Sequence, residues 1–529
     1  MPEALLNAIR AAGGEIINSV PEEDAVRAFL PVESAEAIAA RPDVKFIRPA
    51  SIPFSNAGSV NSQGDTTHRS AQARSTFGAN GAGIKVGVLS TSINDTKNSL
   101  GKSVNSGDLP GDTRVLQGQA GANALGGEGL AMLEIVHDLA PASKLYYATG
   151  FSGEAQMAQN IRNLAASGCR IIIDDIGYYN ETPFQDGKIA KAINAVSADG
   201  VLYFSSAANS GNLQSGNSGT WEGNFKKGGF QQGFGEYHAF KPGVFTNVVT
   251  QETGASTFLF WSDPLGGSAN DYDLFVFDSF GNLVSASDNP QQGTQDPIEF
   301  VDAPRRGEQI VIYKFAGAVR YLHLNTNRGR LQVGTGGQTK GHNASGAANA
   351  FCVAAAPAAR SDGGPGSPNG PFPGAYNSNS KVETFSSDGF RRIFFNANGG
   401  AITPGNFTAT GGKLLIKPDI TAADGVVTTL PFDSGLNPFF GTSAAAPHAG
   451  AIAAQVLSRR PSATPGQVRQ ALNASAIDIL VSGIDRTSGR GIVMAPGAVQ
   501  AINSFALAGE EAVSEGDTLS ETDGVLEPQ

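Results

Sequence analysis

CRIIIDDIGYYNETPFQDGKIAKAINAVSADGVLYFSSAANSG, Cys169–Gly211, is the stretch that decides how this chain folds. It opens on an apolar run that ends in two acids, IIIDD. A helix-spaced segment follows, KIAKAINAVSA, and then a second apolar run, VLYFSSA. Strands that are apolar on both faces and joined by a helix belong to a parallel sheet covered on both sides. The same grammar extends outward. Upstream lie the strand IKVGVLS (84–90), the helix EGLAMLEIVHDLAP (128–141), the strand KLYYAT and the helix EAQMAQNIRNLAASG. Downstream lie AANAFCVAAAP, LLIKPDITAADG, a helix starting near Ser443, and TPGQVRQALNASA. The expected class is α/β, a doubly wound parallel sheet.

The alternation breaks between 213 and 335. Only short strands occur there (STFLFW, YDLFVFD, LVSAS, IVIYKF, YLHLN, RLQV), separated by turn residues. That pattern predicts an antiparallel β-sandwich inserted into the α/β domain, which is thereby split into 81–212 and 336–505. Residues 1–50 predict a small α/β unit of their own, with EIINSV and AVRAFLPV as strands, SAEAIAAR as a helix capped by Ser34, and VKFIRP as a closing strand. Residues 51–80 are polar and are expected to be a linker or arm. Residues 506–529 are acidic with few apolar side chains, the composition of a disordered tail.

Charged residues make up 16% of the 529 and the net charge is −11, so the chain has no electrostatic footprint for nucleic acid. No run of eighteen apolar residues is present, so no membrane-spanning helix is expected. MPEALLNAIRAAGG lacks the apolar core of a signal peptide; the chain is intracellular or starts inside a longer precursor. Cys169 and Cys352 adjoin apolar runs and are expected to be buried thiols, with a single disulfide left open.

The chemistry points to FFGTSAAAPHAG, 439–450, where Ser443 stands between Gly-Thr and a run of small residues opening a helix. A serine hydroxyl becomes a nucleophile only when a neighbouring group takes its proton. This segment resembles the nucleophile motif of the subtilisin-like serine peptidases, Gly-Thr-Ser-x-Ala-x-Pro-His. KPDITAADGV resembles the segment leading to it, and SSAANSGN the strand end that carries the oxyanion asparagine. The resemblance implies a serine endopeptidase working through an acyl-enzyme, with Ser443 as nucleophile and Asn209 holding the oxyanion. It further implies a substrate-binding edge at Asp175, Ile176, Gly177, Tyr178 and Ala207, and a peptide or protein as substrate. Residues 1–50 resemble the family's propeptide, which inhibits its own enzyme, and 213–335 resemble sandwiches attached to secreted peptidases. By the same resemblance the protein is secreted or in the cell envelope.

Two positions depart from the family. Thr91 stands where its aspartate follows the first strand, and Glu128 where its histidine opens a helix. Of the six histidines, His448 matches a structural one, His68, His137, His238 and His323 are poorly placed, and His342 is the nearest candidate base. Carboxylates are better placed. Glu128 resembles the glutamate of the sedolisins, acid-acting relatives with the same fold, although Met132 stands where they carry an aspartate and Asn209 keeps the subtilisin type. Asp175 is expected to supply the second carboxyl, with Asp174 and Asp175 capping a loop as the alternative, and Asp95 as a further candidate. No cofactor is implied. Asp263, Asp271, Asp273 and Asp278 offer calcium oxygen ligands, and a solvated strand face accounts for them as well. The competing functional reading is a catalytically degenerate protein of this fold serving as a binding or structural module.

Overall fold

Seven strands build the sheet that the opening segment predicts, six of them long enough to carry the fold. In the computed structural model, which describes residues 3–20, 25–45, 47, 59–116, 119, 126–252, 254–337, 339, 346–359 and 368–504, they are β1 (Lys85–Ser90), β2 (Arg114–Val115), β3 (Lys144–Thr149), β4 (Ile171–Asp174), β5 (Leu202–Ser206), β6 (Ala350–Pro357) and β7 (Ile420–Asp424). Their order is β7-β6-β5-β4-β1-β3-β2, and every pairing is parallel. Helices α1 (Glu128–Leu139) and α4 (Thr442–Arg459) cover one face; α2 (Glu154–Ala166) and α3 (Lys188–Ala198) cover the other. Successive residues of β4 serve opposite faces, with Ile171 and Ile173 in the first core and Ile172 in the second. The α4 backbone comes so close to the sheet that a Cβ at Gly450 would stand 2.5 Å from Ile173 Cδ1.

The interruption forms two antiparallel sheets. One has seven strands, built on Asp271–Phe277 and Gln309–Ala316. The other has four, in the order Ile298–Val301, Thr257–Trp261, Tyr321–Asn325 and Thr220–Asn224. Leu259, Trp261, Tyr272, Leu274, Ile310 and Leu322 fill the space between them. Several strands escaped the sequence. Lys227–Gln231 is one, because its two glycines hide the pattern: a Cβ at Gly229 would stand 2.1 Å from Tyr237 Oη, so a cross-strand ring fills that place. Another is the hairpin Arg391–Ile393/Lys413–Leu415. Phe394 and Phe395 of this segment pack with Phe184 and with Phe260 of the four-stranded sheet. The buried Arg391 donates to Glu222 Oε1 at 2.7 Å.

The expected arm at 51–80 needs correction over 59–80, the part described. Gln63–Thr67 and Ser70–Phe77 are helices, and Asp65, Thr67 and His68 are buried. Arg74 neutralises Asp65, so a polar sequence sits inside the fold rather than linking parts of it. Residues from Ala57 onward form one compact unit and Met1–Asn56 another. The first unit has helices Glu3–Ala11 and Ala35–Ala39 and an antiparallel pair, Glu15–Val20 with Ala25–Phe29, around Leu5, Ile9 and Ile38. Ser34 precedes the second helix as expected, but its hydroxyl donates to Ala12 O instead of capping. Val44, Lys45 and Ile47 of the expected closing strand are not in a strand. Residues 506–529 and His342 lie outside the described residues. Among the described residues no helix is long and apolar enough to cross a membrane.

Candidate active site

The carboxyl ends of β1, β4 and β5 and the amino ends of α1 and α4 meet at one edge of the parallel sheet. Ligands bind at this edge in open α/β folds, because loops diverge there and helix N-termini point into the gap. Ser443 is the second residue of α4 and is 9% exposed. Gly441 precedes the helix at φ 115°, a conformation costly for any residue with a Cβ. Its N–H is held by Asp424 Oδ2 at 3.0 Å, at the end of β7.

Asn209 is fixed to the same turn. Its Oδ1 accepts from Thr442 N at 3.0 Å and from Thr442 Oγ1 at 2.8 Å, and Thr442 Oγ1 in turn accepts from Ala208 N at 3.1 Å. Ala208 has φ 90°, strain that this network and the Ser387 N–H bonded to its carbonyl hold in place. With Oδ1 occupied, the amide nitrogen is turned toward Gly441, where a Cβ would stand 3.0 Å from Asn209 Nδ2. Ala207, just past the end of β5, is fully buried, its N–H on Val353 O.

The two acids at the end of β4, Asp174 closing the strand and Asp175 following it, separate as alternation along an extended chain requires. Asp174 turns inward, fully buried, and its Oδ1 accepts from Ile176 N at 3.0 Å and Ser205 Oγ at 3.1 Å. It is the loop-fastening residue. Asp175 is half-buried on the other side. Ile176 is buried and Gly177 exposed. Tyr178 fastens the neighbouring loop, donating to Gly150 O at 2.7 Å and accepting from Gly153 N at 2.8 Å.

Glu128 is the first residue of α1 and half-buried. Ser92, just past β1, sets this helix start: its hydroxyl accepts from Gly127 N at 2.9 Å and its carbonyl from Gly129 N at 2.8 Å. Gly129 is required, since a Cβ would stand 2.5 Å from the Tyr147 ring. Tyr147, fully buried on β3, donates to Ser90 O at 3.2 Å. Burial pushes its hydroxyl well above the usual phenol range, and the carboxylates of Asp175 and Glu128 both add to the shift. The two carboxyls thus act on one phenol. Neither Tyr147 nor Ser92 had a signal in the sequence beyond an apolar strand and its exit, whereas Thr442 lay within the serine motif. Met132 is buried in the core.

Other candidates have structural work. Asp95 accepts the N–H groups of Lys97 and Ser99 and the Ser99 hydroxyl at the turn into helix Ser99–Ser106. His448 is fully buried, Nε2 with Ser62 Oγ and Nδ1 with Ala444 O, each at 2.7 Å, and burial takes it down to about 3. His68 bonds Val493 O and Ala423 N, and burial takes it to about 4. His238 accepts from Lys226 N, His323 pairs with Glu222, and His137 faces Asp108 and Asp112. The four acids proposed for calcium do not act as one group. Asp263 pairs with Arg320, and Asp278 accepts the N–H groups of Phe280 and Asn282 in its own turn. Among the described residues no three His, Cys, Asp or Glu side chains are grouped to hold a metal ion.

The subtilase family profile, Peptidase_S8, matches residues 81–491. Among solved structures, the fold is similar to that of the Clostridium perfringens CspB protease, with a TM-score of 0.52 at 14% identity over 83% of this chain and 98% of that one. MycP1 with its N-terminal propeptide removed matches at a TM-score of 0.37 and 13% identity, over 84% of this chain and 98% of that one. The S41 psychrophilic protease matches at 0.36 and 17%, over 83% and 99%. No curated protein sequence matches the chain.

Proposed function

Since the chain belongs to the subtilase family of serine peptidases, we propose that it hydrolyses peptide bonds through an acyl-enzyme on Ser443, with carboxyl groups where relatives use a histidine and an aspartate. The observation that carries this reading is the tie between Asn209 and Thr442, which aims an amide donor at the turn bearing Ser443. A tetrahedral intermediate puts negative charge on the substrate oxygen. Asn209 Nδ2 and the Ser443 N–H, in the first turn of α4, are the donors assigned to it.

Glu128 takes the proton from Ser443 Oγ as the oxygen attacks the carbonyl carbon, and gives it to the leaving nitrogen as the peptide C–N bond breaks. Water repeats the cycle on the ester, releasing the acid and restoring Ser443. Asp175 is assigned the second carboxyl. The reading is supported by the carboxylates of Asp175 and Glu128, whose charges both bear on the Tyr147 hydroxyl. A carboxylic acid is a stronger acid than an imidazolium, and so a better proton donor to the leaving nitrogen. Turnover is therefore expected in acid and declines toward neutrality. Asp175–Tyr178 offers an edge for strand addition by the substrate.

The test is hydrolysis of denatured protein across pH, with labelling of Ser443 by a serine-reactive phosphonate. Glu128→Gln should abolish turnover with the fold intact. Asn209→Leu, close in size and without the amide donor, should lower kcat by about 10²–10³ with little change in KM. Activity peaking in mild alkali and surviving Glu128→Gln would refute the carboxyl base. A folded protein with neither hydrolysis nor labelling at any pH would instead identify a degenerate binding module, the alternative that the missing family aspartate and histidine leave open.

A further inference from the structure

The outer face of the four-stranded sheet carries a row of aromatic rings that is covered at one end only. Phe258 and Phe260 project from Thr257–Trp261 on this face, while Leu259 and Trp261 point into the sandwich. Phe260 is closed over by Phe184, Phe394 and Phe395. The other end stays open: Phe258 pairs in register with Phe300, their rings stack 5.5 Å apart, and Phe300 is 53% exposed. Tyr179 stands 6.4 Å from Phe258 and is half exposed. It belongs to the loop leaving β4, immediately after Asp175–Tyr178.

Phe258, Phe300 and Ile298 line a cavity of about 420 Å³, which Asn180, Gln291 and Gln295 also border. Its one charged lining residue, Asp296, already accepts Gly266 N at 2.7 Å. Gln291 is buried, and its side-chain oxygen meets no donor. Exposed aromatic area at a groove with amide groups around it marks an interaction site rather than ordinary surface.

We propose that this open end is a docking surface for the substrate polypeptide beyond the catalytic cleft, taking an aromatic or large aliphatic side chain of an extended, uncharged segment. The proposal rests on the peptidase reading, because the occupant follows from continuity: the aromatic row starts in the loop assigned to substrate. From Tyr179 across Phe258 to Phe300 the row spans about four residues of extended chain. Aromatic faces take the side chain, the bordering amides meet the backbone of the peptide, and the absence of lysine and arginine from the lining disfavours an acidic segment.

The test uses two fluorescein-labelled peptides, identical except that one carries a Phe-Phe pair and the other Ser-Ser at one end, titrated by anisotropy against Ser443→Ala protein. The Phe-Phe peptide should bind about tenfold more tightly, and Phe300→Ser in the same background should bring it to the level of the Ser-Ser peptide. Phe300 is half exposed, so the variant should fold, which its melting curve verifies. With catalytically competent protein, the kcat/KM advantage of the Phe-Phe peptide should vanish in Phe300→Ser through KM and not kcat. Equal binding of the two peptides, a preference that survives Phe300→Ser, or preferential binding of a soluble glucan oligosaccharide would overturn the proposal. A Phe300-dependent preference in a protein that neither hydrolyses denatured protein nor takes up the phosphonate would sustain a polypeptide-docking surface and refute the peptidase.

Discussion

Acid should destabilise this fold through two histidines that cannot take up a proton. His68 and His448 are fully buried, with ring centroids 5.7 Å apart. Burial holds His68 at about 4 and His448 at about 3, against about 6.5 in an unfolded chain. Their folded values are depressed, so the unfolded state binds the extra protons. The stability they contribute is complete above 6.5 and is lost as pH falls toward 4 and 3. At pH 5 each unfolded ring gains about 1.5 pH units of protonation free energy that the folded ring forgoes, or about 2 kcal/mol apiece and about 4 kcal/mol together. Glu134 and Asp138 work the other way. Burial raises both, so what they contribute is present in acid and lost as pH rises. The net slope of the parent protein therefore mixes signs, and the useful quantity is a difference. In the Ser443→Ala background, urea unfolding at pH 7 and pH 5 should show His68→Gln losing about 2 kcal/mol less over that interval than its parent, whatever its stability at pH 7. Equal losses in the two proteins would refute the assignment of a neutral, proton-refusing ring to His68. The consequence for function is a narrow window: a carboxyl base asks for acid, and the same acid loads the contacts that hold helix Gln63–Thr67 against α4.

Maturation by the proposed peptidase should remove the first unit by a cut before Ser59. Asp108 accepts Ser59 N, Ser59 Oγ and Val60 N at 3.0, 2.8 and 2.8 Å, and Asp138 accepts Ser62 N at 2.7 Å, so the chain from Ser59 is built into the catalytic unit. N-terminal sequencing should find a start at or before Ser59 in wild type and none in Ser443→Ala; a cut beyond Ser62 would refute this. Removing Arg391, fully buried against Glu222, should be severe. Burial would raise Glu222, and Arg391 and His323 overcome that, so Arg391→Met strands a carboxylate and should cost about 3–5 kcal/mol in melting experiments, with Glu222→Gln recovering much of it. No recovery in the double variant would mean the arginine acts through packing alone.

The sequence by itself determined the class of fold, because apolar runs that alternate with helix-spaced segments fit a parallel sheet covered on both faces, and β3, β4 and β5 each coincide with such a run. It determined the serine and its helix as well, since Gly441, Thr442 and Ser443 form a contiguous turn. Tertiary structure decided whatever depends on partners distant in the chain. Residues 63–77 are polar and predict an arm, yet Arg74 pairs with Asp65, and His68 bonds Ala423 and Val493, so they fold inside. The strand Lys227–Gln231 is invisible beneath Tyr237, which takes the room its glycines leave. Asp174 and Asp175 are chemically identical neighbours. Only the pleat at the end of β4, which sends Asp174 to Ser205 and leaves Asp175 where its charge acts on Tyr147, gives one a fastening task and makes the other a candidate for chemistry. Local spacing fixes periodicity and turns. The pairing of a buried polar group with its partner is fixed by where the rest of the chain lies, and no short stretch of sequence carries that distance.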